Sequence, residues 1–160
     1  MNQNMQKDPT FETTGNLLSV GDTAPDFEFK LTTGFTIKLS ELVSKGPVLL
    51  NFIKGTWCPF CTTHMANLRK WQKGLNKKNI SIMVLSNEDL DTIRNWVKDN
   101  DIDYMFGNVN DKKVFHQFGI EIEKMNFPSP ATFLIEKDLK VRFTYIGKRD
   151  QALENSVSEF

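Results

Sequence analysis

The sequence has no excess of either charge. Its 20 basic and 20 acidic residues give a formal net charge of +0 at pH 7, and basic residues cluster only in short pairs such as Lys77–Lys78. Electrostatic recruitment of nucleic acid or of an anionic membrane depends on clustered positive charge, which is missing here. We therefore expect neither nucleic acid nor a membrane among the partners.

Long apolar runs are also missing near the start of the chain. The longest one there, Leu17–Val20, is far too short for the core of a signal peptide or for a membrane span. This pattern predicts a cytoplasmic protein, and a chain whose export signal had been removed would look the same.

The sequence contains no internal repeats, no low-complexity tracts and no glycine-rich phosphate loop such as G-x-G-x-x-G. Without such a loop we expect no nucleotide, no flavin and no other cofactor. A length of 160 residues suits one compact domain. Residues 1–19 are polar and have little periodicity, so we expect a flexible N-terminal arm followed by one domain over residues 20–160.

Cysteine is scarce, and the only two residues of this type are Cys58 and Cys61. Two cysteines exclude a disulfide framework, and a bridge this short would remove little chain entropy, so a structural staple is disfavoured. His64 completes a C-x2-C-x2-H pattern, but a zinc site usually needs four ligands in two close pairs, and His116 is distant in sequence. Haem attachment needs a histidine directly after the second cysteine, where Thr62 stands. We therefore expect a redox pair and no metal.

The apolar pattern predicts an alternation of strands and helices. Two alternating runs flank Thr32–Gly34 and predict a β-hairpin. Residues 47–53, PVLLNFI, predict a central strand buried on both faces. Apolar residues recurring every three or four positions predict a helix from Pro59 to near Lys77. The rest of the sequence predicts, in order, a strand at 79–86, a helix capped by Ser86 or Asn87, a short helix capped by Asp111 and stopped by Gly119, two strands within 131–147 and a closing helix at 149–160.

This order predicts an α/β fold with a central mixed β-sheet flanked by helices. A strand, a crossover helix and a second strand form a parallel pair with a right-handed connection. Cys58 and Cys61 then lie in the turn from the central strand into its helix. Open α/β sheets place their ligands at this carboxyl end of a strand.

The turn into a helix favours thiol chemistry. Unpaired N–H groups and the positive end of the helix dipole stabilise an anion there, so a thiol should have a lowered pKa. Pro59 fits the first helical position, where its missing N–H costs no helical hydrogen bond. We assign Cys58 as the exposed attacking thiolate and Cys61 as the more buried resolving thiol.

Three neighbouring side chains are candidates for supporting roles. Trp57 is either an apolar shield over the end of the strand or a flat docking surface for an extended partner. Phe60 lies between the cysteines and is expected to tune the reduction potential by setting which polar groups the thiolate meets. Lys54 is the nearest cation in sequence to Cys58 and could stabilise the thiolate.

Three segments in order resemble a known family. They are VGDTAPDFEFKLTTGFTIKLSEL, VLLNFIKGTWCPFC and SPATFLIEKDLKVRFTYIG, which together extend from Val20 to Gly147. In this order and spacing the chain resembles the thioredoxin-fold superfamily, and more narrowly its alkyl hydroperoxide reductase/thiol-specific antioxidant (peroxiredoxin-like) branch. The resemblance implies a thioredoxin-like fold with an N-terminal β-hairpin extension.

The same resemblance implies further site residues. Pro130 would be a cis-proline packed against the dithiol, and Ser129 would offer its backbone to a bound substrate strand. Asn51 lies near the position where thioredoxins bury an acidic residue that helps proton transfer, and an amide cannot act as a general base.

The substrate class stays open between disulfides and peroxides. Peroxiredoxins carry a P-x-x-x-T-x-x-C stretch, and aligning its cysteine on Cys61 puts Lys54 at the proline and Cys58 at the threonine. The arginine that helps polarise peroxide would fall near Pro130. A thiolate without donors aimed at the leaving oxygen reacts about as slowly as a free thiol.

These features favour a thiol-disulfide oxidoreductase that uses the Cys58–Cys61 dithiol. The alternatives are a thiol peroxidase that uses the same pair and, in another class, a binding module whose affinity is switched by redox state. The expected partners are a protein or small-molecule disulfide, or a peroxide, together with an external thiol reductant of the thioredoxin or glutathione type.

Overall fold

A computed structural model describes residues 13–147 and 149–160. Residues 1–12, which form most of the predicted arm, lie outside the described residues. The elements are, in chain order, β1 (Thr13–Thr14), β2 (Glu28–Leu31), β3 (Thr36–Lys38), α1 (Leu39–Val43), β4 (Val48–Phe52), α2 (Pro59–Lys77), β5 (Ser81–Ser86), α3 (Leu90–Asp99), β6 (Met105–Asn108), α4 (Lys112–Gln117), β7 (Glu121–Ile122), β8 (Ala131–Ile135), β9 (Val141–Ile146) and α5 (Gln151–Ser158).

The predicted mixed sheet is confirmed. Seven strands pair in the order β3-β2-β6-β5-β4-β8-β9. The pairs β4–β5 and β5–β6 are parallel, and the other pairs are antiparallel. The predicted hairpin is β2–β3, which joins the sheet through β6. Its turn contains Gly34 at a φ of +95°, a value that glycine adopts without the clash a Cβ would introduce.

The central strand β4 separates two apolar cores. All five of its residues are buried, and because successive side chains point to opposite faces, Leu50 and Phe52 enter one core while Leu49 enters the other. The first core contains residues of α1 and α4, and the second contains residues of α2, α3 and α5. Burying each large apolar side chain contributes roughly 1.5–3 kcal/mol. Asn51 shares the face of Leu49, which brings a polar side chain against the core that holds α2.

The helix boundaries follow their capping residues. The predicted helix from Pro59 to Lys77 is confirmed, and Pro59 occupies its first turn. Asp111 caps α4 as predicted, because its carboxylate accepts a hydrogen bond from the N–H of Lys113. The predicted cap of α3 was wrong: Ser86 still belongs to β5, and Asp89 caps the helix by accepting from the N–H of Thr92 at 2.8 Å.

The described part of the N-terminal segment contacts the rest of the fold. Thr13–Thr14 pairs with β7, and the buried Leu18 donates its N–H to the carbonyl of Phe118 at 3.3 Å. The division of the chain at residue 20 stays a prediction. Across the described ranges, none of the helices combines the length and the apolar character needed to cross a membrane.

Candidate active site

The two cysteines lie where the sequence predicted, between β4 and α2. Cys58 is the N-cap residue of α2 and Cys61 lies in its first turn. The loop that precedes them is closed by a hydrogen bond from the N–H of Cys58 to the carbonyl of Gly55 at 3.2 Å. Phe52 at the end of β4 pairs with Ala131 at the start of β8. This pairing brings the segment that contains Ser129 and Pro130 to the same edge of the sheet.

Both thiols are free and both are buried. Cys58 is 3% exposed and Cys61 is 0% exposed, so the prediction of an exposed Cys58 was wrong. The reason is that its sulfur turns towards Cys61 and forms a side-chain hydrogen bond with it, which draws Cys58 into the core around α2. The predicted order of burial, with Cys61 the deeper of the two, agrees with these exposures.

The surroundings of Cys58 favour its thiolate. The hydrogen bond from the Cys61 thiol is the largest cause that lowers the pKa of Cys58 to about 6. Burial acts in the opposite direction, while the backbone N–H groups of Cys61 and Phe60 and the charge of Lys54 lower the pKa further. At pH 7 such a thiol is about 90% ionised, whereas a thiol with the ordinary value is about 1% ionised.

Cys61 behaves in the opposite way. Its hydrogen bond to Cys58 is the largest cause that raises the pKa of Cys61, and burial and the negative charge of Cys58 add to it. The backbone N–H groups of Lys54 and Gly55 also bind this sulfur and act against the rise. The pair therefore loses its first proton from the Cys58 side, and Cys61 keeps its proton as long as Cys58 is a thiolate.

Apolar side chains surround the dithiol on the outside. Trp57 is 58% exposed and Phe60 is 72% exposed. The ring of Phe127 lies edge-on to the indole of Trp57, with 5.4 Å between ring centroids. The indole covers Gly55 so closely that a Cβ at that position would clash with it. An exposed aromatic surface therefore borders a buried reactive pair.

The loop before Cys58 is fixed by a residue that the sequence did not single out. The carboxylate of Glu88 accepts hydrogen bonds from the N–H and the hydroxyl of Thr56, at 2.8 and 2.9 Å. Nothing in the sequence pattern links these two residues, because they meet only through the parallel pairing of β4 with β5. Lys54, in the same loop, is 9% exposed.

A buried polar cluster lies behind the dithiol, on the face of β4 that holds Asn51. The Nδ2 of Asn51 donates to the carbonyls of Leu49 and Met83, at 3.0 and 3.3 Å. Since carbonyls only accept, the orientation of the amide is fixed, and Oδ1 faces the Nε2 of His64 at 2.9 Å. His64 must therefore donate through Nε2, which leaves Nδ1 as a buried lone pair without a hydrogen-bond partner among residues 13–147 and 149–160.

The same cluster keeps His64 neutral. Burial and then the positive charge of Arg149 hold the pKa of His64 well below its ordinary value of 6.5. Arg149 donates to the hydroxyl of Thr132 at 2.7 Å, and this hydroxyl donates to the Oδ1 of Asn51 at 2.8 Å. The spacing of Cys61, His64 and Leu68 on one helical face is the sequence signal that could have revealed the buried imidazole.

The expected cis-proline is not present. All peptide bonds of the described residues are trans, including the bond between Ser129 and Pro130, so that prediction was wrong. The segment fits its surroundings as a trans chain, because the N–H of Ser129 donates to the carbonyl of Ile120 at 2.9 Å and the carbonyl of Pro130 accepts from Gly147 at 2.7 Å. The trans form is also the intrinsically favoured one for an X–Pro bond. Ser129 and Pro130 are both buried.

Metal ligands do not converge at this site. Within residues 13–147 and 149–160, no group of three or more His, Cys, Asp and Glu side chains is arranged to hold a metal ion. His116, the second histidine, lies on α4, where its Nδ1 is 3.1 Å from the carboxylate of Glu121.

A mixed sheet whose central strand leads through a C-x-x-C turn into a helix, with the pKa of the first thiol lowered, defines a protein of the thioredoxin-like fold class. The comparison with sequence families narrows this class. The model of the AhpC/TSA family matches residues 20–144, and the chain belongs to that family.

Proteins of two kinds are similar in sequence to this chain. A 1-Cys peroxiredoxin of Medicago truncatula is 26% identical over 141 residues, which cover 81% of this chain and 64% of that protein. The thiol-disulfide oxidoreductase ResA of Bacillus thuringiensis (strain Al Hakam) is 29% identical over 133 residues, covering 82% of this chain and 72% of that protein. The chain thus spans less than two thirds of the length of the first relative.

Solved structures give the same fold. The peroxidoxin BcpB of Mycobacterium tuberculosis superimposes with a TM-score of 0.79 at 26% identity, over 88% of this chain and 95% of that chain. A protein disulfide isomerase-like structure from Bacteroides thetaiotaomicron, at 22% identity, superimposes with a TM-score of 0.74 and supports the fold alone.

Proposed function

We propose that this protein is a thiol-disulfide oxidoreductase in which Cys58 attacks and Cys61 resolves. The observation that carries the proposal is the opposite perturbation of the two thiols: the pKa of Cys58 is lowered to about 6, and the pKa of Cys61 is raised. A thiolate beside a protonated thiol is the arrangement that disulfide exchange requires. The first sulfur must be ionised to attack the substrate, and the second must react only after the mixed disulfide has formed.

The proposed reaction has two steps. The Cys58 thiolate attacks one sulfur of a substrate disulfide, forms a mixed disulfide and expels the other sulfur as a thiolate, which takes a proton from solvent. Cys61 then attacks the Cys58 sulfur, its proton passes to the departing substrate thiolate, and the Cys58–Cys61 bridge forms. The substrate gains two electrons, and the protein loses two until an external thiol reductant reopens the bridge.

The surrounding residues support these steps in the proposal. Trp57 and Phe60 offer the exposed aromatic surface on which a peptide disulfide or a protein reductant would dock. Pro59 begins α2, so that the first turn presents its N–H groups to Cys58. Ser129 and Pro130 would border the site, because they directly precede β8, whose first residue pairs with Phe52 at the end of β4.

Lys54 would favour the attacking form, because its charge lowers the pKa of Cys58. The reductant would be of the thioredoxin or glutathione type. We propose the cytoplasm as the compartment, because such reductants keep thiols reduced there.

A thiol peroxidase is the second candidate, favoured by the peroxiredoxins among the relatives. In that reaction the Cys58 thiolate attacks a peroxide oxygen and the O–O bond breaks, so that with one proton from solvent a sulfenic acid and an alcohol or water result. Cys61 then forms the bridge and releases water. Disulfide exchange ranks first because Arg149, a cation that could polarise a peroxide, donates instead to Thr132 and to the carbonyls of Gly147 and Tyr145.

One experiment separates the candidates. Reduced protein is mixed in a stopped-flow instrument with a peptide disulfide or with hydrogen peroxide, and tryptophan fluorescence is followed because Trp57 adjoins the dithiol. Cys58→Ser and Cys61→Ser test the two sulfurs, and Thr62→Ser is the matched control because a serine hydroxyl can also donate to the carbonyl of Pro59.

We expect the disulfide to react faster than with a free thiol of matched pKa, and Cys58→Ser to abolish the reaction. A peroxide reaction that exceeds the free-thiol rate by several orders of magnitude, with a slow disulfide reaction, would instead establish the peroxidase. If both reactions run at free-thiol rates, the enzyme proposal fails, and a redox-switched binding module remains.

A further inference from the structure

Glu88 holds the loop that leads into the dithiol. Its carboxylate accepts three hydrogen bonds, from the N–H of Thr56 at 2.8 Å, from the hydroxyl of Thr56 at 2.9 Å and from the hydroxyl of Ser86 at 2.7 Å. Hydrogen bonds to a carboxylate are charge-assisted and are stronger than bonds between neutral groups. The carboxylate therefore ties the loop to the end of β5.

Glu88 is itself anchored on both sides. Its N–H donates to the hydroxyl of Ser86 at 3.2 Å, and its carbonyl accepts from the Nδ2 of Asn108 in β6. Ser86 also accepts the N–H of Val109 on its carbonyl at 3.0 Å. The carboxylate is thus presented from the rigid carboxyl ends of β5 and β6 rather than from a solvated side chain.

The residues next to Thr56 bind the resolving sulfur. The N–H groups of Lys54 and Gly55 are directed at the sulfur of Cys61 and favour its anionic form. The carbonyl of Gly55 accepts the N–H of Cys58 and closes the loop. With Thr56 clamped through both its backbone and its side chain, the peptide groups on either side of Gly55 are held in a fixed orientation.

We propose that Glu88 is a positioning residue for the second step, keeping the loop N–H groups aimed at Cys61 while negative charge develops on its sulfur. The inference rests on the proposed function, since it concerns the step in which Cys61 attacks the mixed disulfide. In that step a bond forms between the two cysteine sulfurs, the bond from Cys58 to the substrate breaks, and the Cys61 proton passes to the substrate thiolate or, where that thiolate is a weak base, to solvent. Donors fixed before the reaction stabilise such developing charge without reorganising.

The first step depends on other groups. The donors to Cys58 are the Cys61 thiol and the N–H groups of Cys61 and Phe60, which belong to the first turn of α2. Lys54, which lies in the clamped loop, makes the smallest contribution to the lowered pKa of Cys58. Glu88 contacts none of these three donors through the hydrogen bonds described above. Loosening the loop should therefore slow the second step and leave the first almost unchanged, and a general loss of structure would slow both.

An aromatic disulfide that releases a coloured thiolate, 5,5′-dithiobis(2-nitrobenzoate), resolves the two steps. Attack by Cys58 releases one coloured thiolate, and attack by Cys61 on the mixed disulfide releases the second, so stopped-flow absorbance shows two phases of equal amplitude. The variants are Glu88→Ala, which removes the carboxylate, and Glu88→Gln, whose amide oxygen can still accept from the N–H of Thr56. Glu123→Ala is the matched control, because Glu123 is exposed.

We expect Glu88→Ala to slow the second phase by about tenfold. The complete loss of one such donor would slow it by more. The rate of the first phase should stay within about twofold of the wild-type rate. Glu88→Gln should recover most of the rate, and Glu123→Ala should match the wild type in both phases. Thr56→Val keeps the backbone N–H but loses the hydroxyl donor, so it should slow the same phase by a smaller factor. This variant replaces Glu88→Ala in the test if Glu88→Ala does not fold.

An unchanged second phase in the folded Glu88→Ala and Thr56→Val variants overturns the inference, as does an equal slowing of both phases. A different result identifies failure of the proposed function: wild-type protein would release only one equivalent of the coloured thiolate, or would release both at the rate of a free thiol.

Discussion

The low pKa of Cys58 can be tested by changing the side chain that contributes most to it. The hydrogen bond from the Cys61 thiol is the largest cause of the lowering to about 6. Cys61→Ala removes this donor, whereas Cys61→Ser keeps an O–H in nearly the same place. The remaining contributions persist in both variants: burial raises the pKa, and the N–H groups of residues 60 and 61 and the charge of Lys54 lower it.

The expected shift follows from these contributions. In Cys61→Ala the pKa of Cys58 should rise from about 6 towards its ordinary value of 9.0. Full return to that value would lower the ionised fraction at pH 7 from about 90% to about 1%. Because burial remains as well as the backbone donors and Lys54, the pKa of Cys58 in Cys61→Ala should rise well above 6, and in Cys61→Ser it should stay close to the wild-type value.

The rate of alkylation by iodoacetamide, determined by mass spectrometry at a series of pH values from acidic to mildly alkaline, measures this pKa. The midpoint of the pH profile is the diagnostic quantity rather than the rate at one pH, because the intrinsic reactivity of a thiolate increases as its pKa rises. A midpoint that stays near 6 in Cys61→Ala would refute the reasoning and assign the lowering to the helix terminus and Lys54.

Three further predictions concern the fold around the site. The unfolded chain protonates His64 below pH 6.5, whereas the folded chain does not. Through His64, the free energy of unfolding measured in urea should therefore fall by about 1.4 kcal/mol for each pH unit below 6.5, and a His64→Gln variant with the same pH slope would contradict this. Gly55→Ala should displace the indole above it and shift tryptophan emission, whereas Gly74→Ala, where a Cβ meets nothing within 4 Å, should not. Phe52→Ala should cost about 3–5 kcal/mol in the same urea measurement and the exposed Phe35→Ala less than about 0.5 kcal/mol; equal costs would contradict the assigned burial.

The sequence was sufficient for the elements with strong local signals. An apolar run, a C-x-x-C turn and a helical stripe locate β4, the dithiol and α2, because each depends on residues close in the chain. Strand β6, by contrast, has the sequence MFGN and includes Gly107, which weakens any strand signal. It forms because β5 and β2 supply partners on both sides, and the backbone of Lys30 approaches too closely for a Cβ at Gly107.

The parts of the site that sequence reasoning missed are those that depend on distant contacts. Glu88 reaches Thr56 only because β4 and β5 are neighbours, and His64 is paired with Asn51 only because α2 packs on that face of the sheet. The burial of Cys58 likewise follows from the direction in which its sulfur turns, which residue type and spacing do not determine.

The position of Cys58 at the cap of α2 has a thermodynamic consequence. The folded protein stabilises the Cys58 thiolate, and that stabilisation is lost when the sulfur is taken up in a bridge, which leaves the first turn of the helix without an anion. Closing a loop over only two intervening residues returns little entropy in compensation. The reduced protein should therefore resist heat better than the oxidised protein near neutral pH, and the external thiol reductant should reopen the bridge readily.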